Sequence, residues 1–167
     1  TAINAMAKRN GEILDLFDGK KDLENKIIRA VGNPDNRIKE DVLRSLRAVR
    51  FATSLDFNIE ENLKSAIRKH AASIDAISKE RVQVEINKIL LADNQKMGIK
   101  ILDDVGLLPY IFPEVYKTKG FNQHSSFHVD DLYNHTLSVL EKTPPILEVR
   151  MAALYHDVGK VDTFFLD

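Results

Sequence analysis

Four charged side chains recur at intervals of three residues near the start of the second quarter of the chain: Asp41, Arg44, Arg47 and Arg50. The surrounding stretch, residues 39–52, has no glycine or proline and is rich in Leu, Ala and Arg, so it is predicted to be one helix. Residues three apart are neighbours on a helix surface. An apolar stripe is predicted to face the core: Val42, Leu46 and Val49. One carboxylate and three guanidinium groups are therefore expected to share one exposed ramp.

The Asp41 and Arg44 side chains on this ramp could recognise a nucleobase by hydrogen bonding. A carboxylate only accepts hydrogen bonds, and a guanidinium only donates them. Cytosine and adenine both present an amino donor beside a ring-nitrogen acceptor, whereas guanine and uracil present a ring N–H and a carbonyl there. Asp41 and Arg44 are thus predicted to accept C and A and reject G and U, and Arg47 and Arg50 to hold phosphates. The alternative is a solvated charged face with ion pairs inside the helix, which is the commoner fate of such patterns.

Residues 40–52 resemble the EDxxRxxRxxRFA motif of class II tRNA nucleotidyltransferases and bacterial poly(A) polymerases. Three other stretches resemble motifs of the same family, in the same order along the chain. Residues 1–7 resemble the end of RRDFTxNAMA, residues 18–31 resemble DGxxDLxxKxIRxV, and residues 79–91 resemble ERxxxExxKLL. Together the four stretches span most of the chain, which makes the resemblance specific.

The resemblance implies an enzyme that adds C and A, or only A, to the 3′ end of tRNA, with CTP and ATP as substrates. It implies that Asp41 and Arg44 face the base, that Arg47 and Arg50 face phosphate, and that Asn4 lines the nucleotide pocket. It also implies two catalytic carboxylates that bind Mg²⁺ in a head domain. We expect these carboxylates upstream of residue 1, so the chain is predicted to be a fragment without transfer activity of its own. The motifs do not separate CCA addition from A-only, CC-only or poly(A) addition.

The fold is predicted to be mainly α, with a helical neck and body and a small remnant of the head-domain sheet. Residues 1–33 are the predicted remnant, with helices at 1–8 and 22–26 and strands at 12–17 and 27–31. Residues 34–115 are the predicted neck, which starts at Asn33-Pro34, a strong helix-start signal. The helix that carries the arginines is predicted to end near residue 55. Three further helices are predicted, at residues 60–72, from residue 78 or 79 onward, and at residues 96–105. Residues 116–167 are predicted to begin an HD-like helical body.

Three charged or titratable side chains of the predicted neck are predicted to have structural roles. Arg81 and Glu85 lie four residues apart on one predicted helix, so they are expected to form an ion pair along it. His70 lies near a predicted helix C-terminus, where a positive charge is favourable.

Histidines crowd the last third of the chain: His124, His128, His135 and His156. Imidazoles beside a carboxylate can hold a divalent metal with open positions for water. His128, Asp131 and His135 are spaced to share one face of a helix.

The pattern His135…His156-Asp157 resembles the start of the HD superfamily of metal-dependent phosphohydrolases, which implies that these three residues are metal ligands. That superfamily completes its ligand set with a further Asp downstream, and Asp162 and Asp167 come too early. The alternative is that the histidines are packing residues of an RNA-facing helical body.

Composition limits the partners. The net charge is −1, so any nucleic-acid binding must be local. Residues 36–50 are a candidate, because they contain five basic and two acidic residues. The absence of cysteine excludes disulfides and thiolate metal sites and fits a reducing compartment, so a cytoplasmic protein is predicted. No apolar run approaches the roughly 20 residues of a membrane span.

Three functions remain open at this stage. The first is the nucleotidyltransferase. The second is an HD-type phosphohydrolase, which predicts a bound metal and activity lost in His156→Ala. The third is a helical RNA-binding module without enzymatic activity, which predicts tRNA binding that Asp41→Ala does not change.

Overall fold

The computed structural model describes residues 1–121 and 131–163, and these are mainly α-helical, as predicted. The α-helices in these ranges are α1 (Gly19–Glu24), α2 (Pro34–Glu40), α3 (Leu43–Leu55), α4 (Glu61–His70), α5 (Lys79–Leu91), α6 (Gln95–Asp104), α7 (Leu108–Ile111), α8 (Pro113–Lys117), α9 (Leu132–Glu141), α10 (Leu147–Tyr155) and α11 (Lys160–Thr163). The strands are β1 (Ala7–Arg9), β2 (Glu12–Leu14), β3 (Ile27–Ile28) and β4 (Asn58–Ile59). No helix in the described ranges is both long and apolar enough to cross a membrane.

The N-terminal segment forms an antiparallel hairpin of β1 and β2. Asn10 and Gly11 make its turn with φ of 52° and 87°, the left-handed conformation that two-residue hairpin turns need. The predicted helix over residues 1–8 is wrong, because only the single 3-10 turn Ile3–Ala5 is helical and the chain then extends to pair with β2. The predicted strand within residues 12–17 is confirmed as β2.

A second strand pair joins the N-terminal segment to the helices. Ile27 lies opposite Asn58 and Ile28 opposite Ile59 in a parallel pairing of β3 with β4. Part of the predicted strand at residues 27–31 is therefore confirmed, while its partner was not predicted. The predicted domain boundary at residue 33 stays a prediction, and this strand pair crosses it.

The stretch of residues 39–52 is two helices, so the prediction of one continuous helix is wrong. α2 ends at Glu40, and Asp41 is extended with φ −153° and ψ 100°. The Asp41 carboxylate accepts a hydrogen bond from the Leu43 N–H at 3.2 Å, at the start of α3. Asp side chains compete for backbone N–H groups in this way, which disfavours them inside helices and favours them at helix starts. Asp41 thus leaves the predicted ramp and lies just before the first turn of α3.

The core is built around α3, which packs on both α5 and α6. The apolar stripe is confirmed, since Leu46 and Val49 are fully buried and Val42 packs partly buried against the same core. Gly98 of α6 allows the close approach of these helices. A Cβ at that position would lie 2.5 Å from the Cγ2 of Ile89, a contact that real Cβ atoms do not show.

Several predicted helix boundaries in the neck are confirmed. The Asn33 side chain caps α2 by accepting from the Asn36 N–H at 3.1 Å, with Pro34 in the first turn. α5 begins at Lys79. Gly106, at φ 73°, follows the end of α6. The predicted neck therefore has the predicted helices, apart from the break at Asp41 and the two short helices α7 and α8, which were not predicted.

The C-terminal helices are fastened to the neck by a buried arginine. Arg150 of α10 is 3% exposed and donates to the carbonyls of Leu90 and Ala92 at the end of α5, the latter at 2.7 Å. Its Nε donates to the Pro144 carbonyl at 3.1 Å. These bonds satisfy carbonyl groups that the end of a helix leaves without partners, so the position of α10 is fixed relative to α5.

Candidate functional site

A cavity of about 370 Å³ lies between the N-terminal segment and the helices α2 and α3. Three arginines and an amide give its wall donor groups: Arg37, Arg44, Arg47 and Asn4. The rest of the wall is mostly apolar: Ala5, Ala30, Val31, Ile38, Ala48, Phe51 and Leu63. The cavity combines positive charge with an apolar surface, which suits a ligand that is both anionic and partly planar.

Two of the arginines are joined through Glu40. Its Oε2 atom accepts from the Nη1 of Arg37 at 2.8 Å and from the Nη1 of Arg44 at 2.9 Å. The same Nη1 of Arg44 also donates to the Arg37 carbonyl at 3.1 Å. Arg47 is exposed, and no side chain within residues 1–121 and 131–163 forms an ion pair or hydrogen bond with it. Arg37 and Arg44 therefore share one carboxylate, and Arg47 carries a third positive charge without a partner in the described part of the chain.

The charge of the cavity wall is positive. Arg37, Arg44 and Arg47 line it, and no acidic residue of the described ranges does. A second cation is thus disfavoured here, and an anion would be stabilised.

Asp41 does not line this cavity. Its carboxylate lies 3.7 Å from the Nη2 of Arg81, and its side chain is about one-third exposed. The predicted ion pair between Arg81 and Glu85 is therefore wrong. Arg81 instead approaches the break between α2 and α3, while Glu85 turns to Arg50 of α3.

Arg50 also lies away from the cavity lining. Its Nε is 2.7 Å from the Oε2 of Glu85, in a close ion pair whose atoms are not aligned for a hydrogen bond. Its guanidinium stacks 4.1 Å from the centre of the Phe51 ring, and that ring belongs to the cavity wall. Arg50 thus supports the wall from behind.

A second group of side chains lies in the last third of the chain, where the ligand atoms of His135, His156 and Asp157 all lie within 4.8 Å of one another. The two Nε2 atoms are 3.4 Å apart, and Asp157 Oδ2 is 3.3 Å from that of His156. The structure therefore brings together the three residues that the sequence predicts as metal ligands.

Lys160 competes for the acidic member of this cluster. Its Nζ donates to Asp157 Oδ2 at 2.7 Å. Desolvation acts to raise the pKa of the Asp157 carboxyl, but the Lys160 hydrogen bond and the charges of His156 and His135 outweigh it, so the pKa is lowered. Any metal bound here would have to displace the lysine ammonium from the carboxylate.

Asp131 is not part of the cluster, and His124, His128 and Asp167 lie outside the described residues. Asp131 caps α9 by accepting from the Asn134 N–H at 2.9 Å, and its second oxygen accepts from the Gly120 N–H. The prediction that Asp131 and His135 present one helix face is therefore wrong, because Asp131 precedes the helix.

Comparison with known proteins places the chain in a family. Residues 56–118 match the family described as the probable RNA and SrmB-binding site of polymerase A. A CCA-adding enzyme from Ligilactobacillus salivarius is 45% identical over 132 residues, which cover 77% of this chain and 33% of the relative. One from Limosilactobacillus reuteri is 47% identical over 109 residues, or 65% of this chain and 27% of the relative. The chain spans about a third or less of the length of these curated relatives.

Solved structures agree. The Bacillus stearothermophilus CCA-adding enzyme in complex with CTP superposes with a TM-score of 0.68 at 27% identity, covering 93% of this chain and 44% of that one. The chain belongs to the CCA-adding enzyme family. The Thermotoga maritima CCA-adding enzyme complexed with tRNA shares the fold, with a TM-score of 0.58 at 21% identity over 96% of this chain and 45% of that one.

For this CCA-adding enzyme family member, the structure gathers only part of the predicted site. Asn4, Arg44 and Arg47 meet at one cavity, whereas Asp41 and Arg50 lie beside it. The assignment of all five as nucleotide-binding residues stays a prediction. Sequence reasoning missed Arg37 at the cavity, although a signal existed, since Arg37 lies seven residues, about two helical turns, before Arg44.

Proposed function

We propose that this chain is the nucleotide-selecting part of a tRNA nucleotidyltransferase that adds C and A to tRNA 3′ ends from CTP and ATP. The observation that carries the proposal is the cavity in which Arg44 and Arg47 meet Asn4, with Asp41 three residues before Arg44. Similar structures support the partners, because they include complexes of CCA-adding enzymes with CTP, ATP and tRNA.

The cavity wall suits a nucleotide in two ways. Phe51 and the neighbouring aliphatic side chains offer a surface on which a planar base can rest. Arg47 has no partner among the described residues, so its forked guanidinium is available to a phosphate. The base and the phosphates of one nucleotide would thus meet chemically different parts of the same wall.

Base selection is assigned to Arg44 and Asp41. Arg44 uses Nη1 for Glu40 and the Arg37 carbonyl, and its guanidinium carries further N–H donors for a base. Asp41 must turn its carboxylate from Arg81 to act with Arg44. At 3.7 Å and with both side chains partly exposed, the contact with Arg81 is a weak one, worth about 1 kcal/mol or less. The pair would then accept the amino group and ring nitrogen of C or A.

Catalysis itself is assigned to residues outside this chain. The proposal places two Mg²⁺-binding carboxylates in a head domain, where the metal would activate the 3′-hydroxyl and neutralise the triphosphate. The residues of this chain bind and orient the nucleotide. We accordingly expect no nucleotide transfer by the chain alone.

The proposal is tested in a chimera in which this chain replaces the matching segment of the Ligilactobacillus salivarius enzyme. In Arg44→Ala, discrimination of CTP and ATP against UTP and GTP should fall about 10- to 100-fold, the value of a lost bidentate base contact. Affinity for tRNA should change little. Lys39→Ala, an exposed residue of α2 outside the cavity lining, is the matched control.

Asp41→Ala separates the proposal from a purely RNA-binding role. Under the proposal, this variant loses nucleotide discrimination in the chimera and keeps its tRNA affinity. A helical RNA-binding module would show unchanged tRNA binding and unchanged discrimination. If discrimination survived both Arg44→Ala and Asp41→Ala, the assignment of base reading to these residues would be wrong.

The histidine cluster supports a second candidate function, an HD-type metal-dependent phosphohydrolase. Two imidazole nitrogens and a carboxylate oxygen converge, a donor set that suits transition-metal ions. A metal held by His135, His156 and Asp157 would supply an activated water. Calorimetric titration with Mn²⁺ or Zn²⁺ should show one site that His156→Ala removes. Absence of binding by the unaltered chain would rule this candidate out.

A further inference from the structure

Arg37 is a cavity residue that none of the four family-like motifs includes. It lies on α2, outside residues 40–52, and it lines the same cavity as Arg44 and Arg47. Its side chain is 44% exposed, so it lies at the open side of the wall. The position is therefore accessible to a ligand that enters from solvent.

Arg37 and Arg44 are held as one unit by Glu40. One Glu40 oxygen accepts from both guanidinium groups, at 2.8 Å and 2.9 Å, and the Arg37 carbonyl accepts from Arg44 at 3.1 Å. An arginine has five N–H donors, and these bonds use a single nitrogen of each side chain. Both guanidinium groups are thus oriented by Glu40 and retain donors for a ligand.

The charge balance of the wall favours an anion. Arg37 and Arg44 share the Glu40 carboxylate, and Arg47 has no partner in the described part of the chain. Three positive charges thus stand against one negative charge on this wall. Like charges held this close repel one another, and a multiply charged anion would relieve that repulsion.

We propose that Arg37 is a further phosphate-binding residue of this cavity. The inference rests on the proposed function and deepens it. The phosphate belongs either to the incoming nucleoside triphosphate or to the terminal phosphodiester of the RNA. A base is the poorer ligand for Arg37, because the acceptor beside it, the Glu40 carboxylate, is already bound by both Arg37 and Arg44. A forked guanidinium on an open rim matches a phosphate group.

The test measures binding of three probes to the full 167-residue chain by calorimetry: inorganic tripolyphosphate, CTP and a short single-stranded RNA. Arg37→Gln should lower the affinity for the probes that contact Arg37 about 10-fold, as expected for lost charge-assisted hydrogen bonds. Lys39→Gln removes the same charge from the same helix, outside the cavity lining, and should change binding by about twofold or less. Arg37→Lys keeps the charge, loses the fork and should fall between them.

The probes distinguish the two sources of phosphate. Weaker tripolyphosphate and CTP binding with unchanged RNA binding assigns Arg37 to the triphosphate. Weaker RNA binding alone assigns it to the RNA backbone. Equal effects of Arg37→Gln and Lys39→Gln on all three probes overturn the inference.

Failure of this inference can be told from failure of the proposed function through Arg44→Ala, measured as the ratio of CTP to UTP affinity. If that ratio falls towards one while Arg37→Gln behaves like Lys39→Gln, the base-reading role of Arg44 is supported and the phosphate role of Arg37 is overturned. If the ratio is unchanged while Arg37→Gln weakens phosphate binding, the Arg37 role is supported and the base-reading role is overturned. If the unaltered chain binds none of the three probes, both are overturned.

Discussion

The cavity beside α2 and α3 and the histidine cluster near α10 gather charged groups in opposite ways. In the cavity, three guanidinium groups are spread along the wall of a space of about 370 Å³, and two of them share one carboxylate. In the cluster, three ligand atoms converge within 4.8 Å, and one ammonium occupies the carboxylate. The first arrangement suits an extended anion, and the second suits a small cation. Each site gathers a few charged or titratable groups, and the arrangement of these groups, spread or convergent, decides which kind of ligand the site suits.

The largest effect is expected at the ion pair between Arg50 and Glu85, which supports the cavity wall. Glu85→Gln would leave the Arg50 guanidinium without its ion-pair partner, where the two side chains are only 19% and 11% exposed. Breaking a largely buried pair on one side should lower the free energy of unfolding by about 2 kcal/mol, less than for a fully buried pair. Urea denaturation measures this change.

Glu80→Gln is the matched control for that measurement, because Glu80 is an exposed acid on the same helix. Its free energy of unfolding should change by about 0.5 kcal/mol or less. Phosphate binding at the cavity should weaken in Glu85→Gln, since Arg50 supports Phe51 from behind. Equal destabilisation by the two variants would show that Arg50 does not depend on Glu85.

A smaller effect is expected at the histidine cluster. Lys160→Gln removes the ammonium that lies 2.7 Å from Asp157 Oδ2, so a divalent cation would no longer have to displace it. Affinity for Mn²⁺ or Zn²⁺ should rise about 5- to 10-fold, on the scale of one charge-assisted hydrogen bond. Tripolyphosphate binding should stay unchanged, because Lys160 does not line the cavity.

Lys142→Gln provides the comparison, because Lys142 is exposed and lies at the end of α9 rather than on Asp157. It removes an equal charge from the C-terminal helices. A metal affinity that responds equally to both substitutions would mean that only the overall charge matters. In that case the cluster would not be a convergent site, and its contrast with the cavity would disappear.

Strong local signals predicted much of the fold. Asn33-Pro34 marked the start of α2, and Gly106 marked the end of α6. Asn33 acts through its own side-chain cap, and Pro34 and Gly106 act through backbone geometry, so each signal is local. The pairing of β3 with β4 had no such signal. Each strand has two residues, too few for an alternating pattern, and the pairing depends on how the intervening helices fold.

The candidate site was predicted less evenly. A spacing of three residues placed Asp41 on a helix with Arg44, but Asp41 precedes that helix, and its carboxylate binds the Leu43 N–H at the helix start. Spacing also paired Arg81 with Glu85, whereas Glu85 pairs with Arg50 on another helix. Periodicity describes contacts along one helix, and these partners depend on how two helices pack together. The histidine cluster was found because the resemblance linked residues that are distant in sequence.

The smallest expected effect concerns the position of α2, which carries Arg37. Asp35 joins α2 to α4 through Lys69 Nζ and His70 Nε2, each 2.9 Å from its Oδ1. Hydrogen bonds from Lys69 and then His70 lower the pKa of the Asp35 carboxyl below its ordinary value of 3.8. Because the folded-state pKa is the lower one, this carboxylate stabilises the fold above the ordinary value, and the contribution is lost as pH falls through the folded-state value.

Asp35→Asn should therefore show a smaller loss of stability than the unaltered chain when the pH is lowered from about 5 to about 3, with the midpoint of urea unfolding as the measure. The difference should be small, because the Lys69 side chain is 65% exposed and the Asp35 side chain 37% exposed, so solvent screens their interaction. Asp75→Asn, an exposed acid near the end of the 3-10 segment Ala71–Ala76, should leave the pH response as it is. A weaker hold on α2 should also loosen tripolyphosphate binding at the cavity while metal binding at the histidine cluster stays the same. If both sites weakened together, Asp35 would act on the whole fold, and the cavity and the cluster would not be independent.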